Sequence, residues 1–204
     1  MHPGFLIKGF LIGFAIAAPV GPIGVLCIRR TLAEGRAIGF MSGLGAATAD
    51  MSYGAIAAFG LTAVQDLLVR QQLWLHLTGG LFLIYLGIRT FITSPAERAA
   101  LDETRRGWLP AYLSTLGLTL TNPATIISFT VIFAGLRLGD ADGSYLSAAF
   151  MVLGVLLGSA TWWLTLSSII GAFRDRFTMM WLRWVNRLAG IVIFAFGIFA
   201  LSVK

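Results

Sequence analysis

The chain has 204 residues, 57% of them hydrophobic and 12% charged, with a mean hydropathy of +0.85. Soluble domains are nearer a quarter charged, so the composition excludes a soluble globular protein and leaves no room for a separate soluble domain. The net charge of +6 fits basic residues in short loops that set membrane topology better than it fits nucleic-acid binding, and the single Cys27 excludes an internal disulfide, a cysteine-rich metal site and dithiol redox chemistry.

Six apolar segments stand out, each near the roughly 20 residues that a bilayer requires: 5–28, 37–63, 73–93, 110–136, 145–171 and 184–203. Ala15-Ile16-Ala17 in the first has the look of a signal-peptide cleavage site, but the apolar stretch continues past it, so a retained membrane helix is expected. The same segment is interrupted by Ala18-Pro19-Val20-Gly21-Pro22-Ile23. Each proline removes a backbone donor and its ring clashes with the preceding turn. Polar backbone cannot face lipid, so this break must face protein or a wet cavity. Discontinuous helices at the midplane are how transporters build binding sites.

The second segment is centred on Asp50, the one acidic residue well inside a span. An ionisable group there is costly and usually serves ions, protons or substrate. Gly39, Gly43, Ala47, Asp50 and Gly54 recur at helical spacing as one small-residue face, so Asp50 is expected to point into the bundle. Tyr53, three residues on, is placed to donate to it. The plainer alternative is a protonated aspartate acting as interhelical glue. His76 near a span end and His2 at the terminus suit an interfacial position better than catalysis.

Residues 94–109 carry Glu97, Arg98, Asp102, Glu103, Arg105 and Arg106 and are expected to form a solvated linker. The fourth segment is broken at Thr121-Asn122-Pro123. The residue before a proline is pushed out of helical geometry, so the Asn122 amide is available to repair backbone or to face a ligand, amid Thr119, Thr125 and Ser128. Between the last two segments Phe173, Phe177, Met180, Trp181 and Trp184 recur at helical spacing with arginines between them. This predicts an amphipathic stretch on the inner leaflet, with a partner-docking helix as the alternative.

The halves repeat. Trp74, Gly80, Gly87 and Ile88 match Trp184, Gly190, Gly197 and Ile198; Pro22 matches Pro123; Gly43, Ala49 and Gly60 match Gly154, Ala160 and Gly171. Three spans per half is an odd number, so the halves insert in opposite orientations, and such inverted repeats place substrate at their interface. Eleven of the 15 Lys and Arg residues fall in the loops after spans one, three and five, which predicts those loops inside and both termini outside. No serine-histidine-acid set, metal-spaced cluster or phosphate loop is present, so neither an enzyme nor a cofactor or metal is expected.

Pro19-Val20-Gly21-Pro22, the run from Gly43 to Asp50, the run from Gly80 to Arg89, and Asn122-Pro123 together resemble the LysE/RhtB family of amino-acid exporters over nearly the whole chain. The resemblance implies six helices and export of amino acids or derivatives from the cytoplasm, coupled to the proton motive force. Ala124 stands where members carry lysine, and Ala49 where a glycine usually precedes the aspartate.

The expected fold is therefore an all-α polytopic membrane protein, six transmembrane helices as a 3+3 inverted repeat (1–93 and 110–204 about the linker 94–109), with helices 1 and 4 broken. The expected site is Pro19, Gly21, Pro22, Asp50, Tyr53, Thr121, Asn122 and Pro123. The half-helices after Pro22 and Pro123 would hold a substrate carboxylate, and Asp50 the amino group or the coupling proton. The expected partners are an amino-acid-like small molecule and lipid of the bacterial inner membrane, without nucleic acid; self-association is left open. The rival readings are an inorganic-ion transporter on the same scaffold, for which one aspartate supplies too few ligands, a dithiol redox relay, and a scaffold without transport.

Overall fold

The structure is a computed structural model that describes residues 3–19, 21–59, 72–92, 107–122, 125, 129, 145–174 and 179–202. Among these residues the chain forms seven helices and no strand. They are α1 (Pro3–Ala17), α2 (Pro22–Glu34), α3 (Arg36–Ala58), α4 (Gln72–Ile92), α5 (Trp108–Leu120), α6 (Tyr145–Ala172) and α7 (Met179–Ser202). Pro123, Ala124, Ser128, Phe177, His2, the side chain of His76 and most of the linker lie outside the described residues.

α1 makes its last hydrogen bond from the Ala18 N–H to the Phe14 carbonyl, at 3.0 Å. Pro19 cannot donate the next one. Gly21 is extended (φ −97°, ψ −165°) and its N–H turns back to the Pro19 carbonyl, at 3.0 Å. Pro22 then opens α2, where a missing N–H costs nothing and the fixed φ is already helical. The two helices are bent by 80°.

α2 runs on to Glu34 and is stopped by Gly35, the single residue before α3, at φ +102°, a conformation that side chains disfavour. This corrects one sequence expectation. Arg29 and Arg30 are not in a loop but in the last turns of α2. A proline restart at residue 22 needs about three further turns to complete a helix, and the next stop signal is Gly35.

α1 packs on α6, α4 on α7, and α3 on both α5 and α6, while α2 lies against α3 and α7. Small residues let the backbones approach. A Cβ on Gly80 would meet the Gly197 carbonyl, one on Gly190 the Gly87 carbonyl, and one on Gly158 the backbone of Phe10. One buried cluster takes a residue from every helix: Ala17, Leu26, Ala47, Leu83, Leu118, Trp163 and Ile193.

The distribution of polarity is the reverse of a soluble protein's. Ser42, Thr90, Thr115, Ser159 and Asn186 are buried, while Leu81, Tyr85, Ile88, Trp184, Leu188 and Ile191 are exposed on α4 and α7. An outer surface of large apolar side chains around a polar-flecked interior suits lipid as the surrounding medium. Among the described residues α6, at 28 residues, is long and apolar enough to cross a bilayer alone, and α1 with α2 are so as a bent pair, the geometry of a broken span or a re-entrant loop. Met180, Trp181 and Trp184 all lie on α7, continuous with the last apolar segment. These residues of the expected amphipathic stretch are therefore the exposed first turns of α7, while Phe177 falls outside the described residues.

Candidate functional site

The break between α1 and α2 opens onto a cavity of about 300 Å³. Pro19, Gly21 and Pro22 line it from the break, Asp50 from α3, and Asn122 with Thr125 from the second break. Residues that are far apart in sequence therefore meet, because α5 ends at Leu120 beside α3. The Asn122 N–H reaches the Thr119 carbonyl at 3.2 Å, and its own carbonyl accepts from the Thr125 N–H at 3.1 Å, so the chain turns at Asn122 and resumes helical bonding after it.

The first break also supplies backbone donors. The α2 N-terminus has no side-chain cap, and its first residues Pro22, Ile23 and Gly24 all line the cavity. Pro22 has no N–H to offer, which leaves the amides of Ile23 and Gly24 at the positive end of the helix dipole.

Asp50 is 3% exposed, and the Ser159 hydroxyl, on α6, donates to its Oδ2 at 2.7 Å. Tyr53 does not serve Asp50. Its hydroxyl donates to the Leu120 carbonyl at 2.5 Å, tying α3 to the last residue of α5. A phenol three residues beyond Asp50 shares its helix face but projects past it, to the next helix. Thr121 is also outside the cavity wall; its hydroxyl donates to the Gly117 carbonyl at 2.9 Å and repairs the frayed end of α5. Pro123 lies outside the described residues.

Much of the remaining wall is apolar, with Ile16, Ile23, Trp163 and Phe196 contributed by four different helices. Trp163 packs its Cβ and the near edge of its ring against Gly43, where an added Cβ would collide first with the Trp163 Cβ. Its Nε1–H has no acceptor among the described residues, so packing alone sets the ring's position.

Below the cavity, at the far end of α2, Arg30 joins three helices. Its Nη1 donates to the Ser42 hydroxyl (2.8 Å), the Ala111 carbonyl (3.0 Å) and the Thr115 hydroxyl (2.9 Å), and its Nη2 to the Ser114 hydroxyl (2.8 Å). Arg174 caps the same end, its Nε donating to the Leu32 carbonyl at 3.0 Å. Sequence reading missed Ser159, Trp163 and Arg30. The first two carry no local signal, since a serine and a tryptophan in an apolar helix are ordinary. For Arg30 the signal was Gly35, which marks where α2 must end.

The description LysE type translocator matches residues 14–203. The chain belongs to that family. It is similar to "Putative amino acid efflux protein YcgF" of Bacillus subtilis (strain 168), 26% identical over 195 residues that cover 93% of this chain and 91% of that protein. It is also similar to "Uncharacterized membrane protein YahN" of Escherichia coli (strain K12), 25% identical over 180 residues, covering 86% of this chain and 78% of that one. No solved structure matches it. The chain is thus a membrane transporter.

Proposed function

We propose that this translocator exports an amino acid or a close derivative across the bacterial inner membrane by alternating access, driven by the proton motive force. The observation that carries the reading is the cavity itself: both helix breaks and Asp50 open onto one volume the size of a single small molecule. The amides at the start of α2 would take the substrate carboxylate, as half-helix ends do in other transporters. Asn122 would hold the same end from the second half. Asp50, steadied by Ser159, would take the amino group or carry the coupling proton. The name of the similar Bacillus protein supports an amino acid as cargo.

The proposed architecture is six spans in two inverted halves, 1–93 and 110–204, joined by 94–109, with both termini outside. The packing supports it. Exchanging α1 with α5, α3 with α6 and α4 with α7 turns the α1–α6 contact into the α5–α3 contact and returns the α3–α6 and α4–α7 contacts unchanged. Within the last pair, Gly80 meets Gly197 and Gly87's carbonyl meets Gly190, the relation expected if residues 80 and 87 correspond to 190 and 197. Among the described residues Asp50 is the one acidic side chain on the wall, too few ligands for a divalent cation.

The deciding experiment compares metabolites released by cells that overproduce the protein with those released by cells that lack it, with and without an uncoupler. Uncoupler-sensitive release of one or a few amino acids is expected. Identical profiles would remove the exporter reading.

A further inference from the structure

The cavity wall is chemically lopsided. Its charged group is Asp50, its polar groups cluster with Asn122, Thr119 and Thr125, and the rest of the wall includes Ile16, Ile23, Trp163 and Phe196. Among the described residues no lysine or arginine reaches it. A volume of about 300 Å³ is at the small end of ligand pockets, which run from about 300 to 1,000 Å³. It suits one amino acid rather than a peptide.

Resting on the exporter reading above, we propose that the cargo is an amino acid with an uncharged, apolar side chain, and that Trp163 on the cavity wall sets how large that side chain can be. Asp50 can neutralise one ammonium, and the α-amino group of any amino acid already requires it. A lysine side chain would bring a second cation to a wall whose remaining described groups are neutral. A glutamate side chain would bring a second anion where, among the described residues, no basic side chain stands. Burying either without a partner is strongly unfavourable. An aliphatic or aromatic side chain instead gains by leaving water for the wall of Ile16, Ile23 and Phe196.

Size follows from Trp163, the largest side chain on the wall. Gly43 lets α3 approach α6 at Cβ and Cγ of Trp163, which a methyl group at residue 43 would overlap. That Cβ is fixed to the α6 backbone, so turning the ring could not relieve the overlap and Gly43→Ala would push the two helices apart. Trp163→Phe leaves this contact in place and shortens the ring, which widens the pocket.

The test is equilibrium binding of alanine, leucine, phenylalanine, lysine and glutamate to the full chain in lipid nanodiscs, by titration calorimetry. Leucine or phenylalanine should bind at least tenfold more tightly than lysine and glutamate. Trp163→Phe should raise the phenylalanine-to-alanine affinity ratio at least fivefold. Lysine or glutamate binding as tightly as leucine overturns the apolar class and leaves the exporter reading standing. An unchanged ratio overturns the role of Trp163. Should that variant fail to insert, Trp163→Leu must raise the same ratio, and an unchanged ratio there overturns the role. Binding of none of the five to the parent chain overturns the inference and the exporter reading together.

Discussion

Arg30 on α2 and Thr115 on α5 are joined by a 2.9 Å hydrogen bond between residues 85 positions apart. With Ser42, Ala111 and Ser114 completing the set, one guanidinium fastens the half-helix beneath the first break to both α3 and α5. All four acceptors are neutral oxygens, so the contacts are charge-assisted from the donor side only. Hydrogen bonds to a charged group contribute about 1.5–3 kcal/mol each at most. Arg30→Gln should therefore destabilise the protein by roughly 3 kcal/mol in nanodisc unfolding measurements, with Ser114→Ala costing about 1 kcal/mol. Arg30→Lys should recover little, because an ammonium cannot span acceptors on two helices as a planar fork does. Full rescue by lysine would mean that the charge alone matters.

Asp50 and Ser159 give a second prediction. Asp50→Asn keeps the shape and removes the titratable group. Efflux should be lost while the amount of protein in the membrane stays normal. Ser159→Ala leaves the carboxylate without its described donor, a loss of about 1.5 kcal/mol, so substrate affinity should fall by roughly tenfold. Unchanged efflux in Asp50→Asn across the pH range would reduce the aspartate to packing glue.

What could be read from the sequence divides along a physical line. The first break was legible because two prolines three residues apart leave no helical alternative, and Asp50 because one carboxylate in an apolar segment demands a reason. Both signals are local. The partner of Asp50 was not legible, because Ser159 lies 109 residues away and becomes its donor only once α3 packs on α6. Tyr53 was misassigned for the same reason. Spacing puts it on the Asp50 face, but spacing does not reveal that α5 ends opposite it and brings the Leu120 carbonyl within reach of its hydroxyl. Arg30 was counted as a topology marker because charge was weighed without asking how far α2 must run after Pro22.

The α4–α7 pair gives a third prediction. The Gly190 Cα lies so close to the Gly87 carbonyl and to Phe91 that a Cβ would sit 2.8 Å from the carbonyl oxygen and 2.7 Å from the Phe91 nitrogen. Those are backbone atoms on a packed helix and cannot yield without separating the helices. Gly190→Val should cost at least the 1–3 kcal/mol typical of overpacking, seen as reduced membrane yield. Gly117→Val, where a Cβ meets nothing within 4 Å, is the control and should express normally. Equal yields for the two would mean that the helices do not pack through their glycines.

The proposed orientation rests on the Lys and Arg count: with Arg29 and Arg30 set inside α2, nine remain on one side against four on the other. In a Cys27→Ser background, a cysteine at Asp140 should react with an impermeant maleimide from outside, and one at Asp102 only after permeabilisation. The reverse pattern would overturn the orientation and with it the direction of transport.

The last prediction concerns what holds the first break open. Helix propensity alone says that Pro22→Ala should let α1 run straight into α2, since proline is about 3 kcal/mol worse than alanine inside a helix. The packing of α2 opposes that. Straightening the 80° bend would remove Ile23, Leu26 and Cys27 from the core, where they are 7%, 0% and 2% exposed. Each such side chain contributes about 1.5–3 kcal/mol of burial against a fully exposed reference in water, and Leu and Ile less against lipid. The Arg30 contacts add more, and Pro19 still interrupts the ladder in the single variant. The packing terms exceed the propensity term, so the bend should survive Pro22→Ala. Pro22 also stands at the first position of α2, where its N–H was never needed, and alanine there adds one donor facing the cavity without taking any away. Binding should therefore change by less than about threefold (under 1 kcal/mol, the scale of one exposed hydrogen bond). Combining Pro22→Ala with Pro19→Ala and Arg30→Gln removes both the interruption and the anchor, and there the helix should run through, with higher helicity by circular dichroism and lost binding. If Pro22→Ala alone raises helicity and abolishes binding, the prolines rather than the packing of α2 keep the site open.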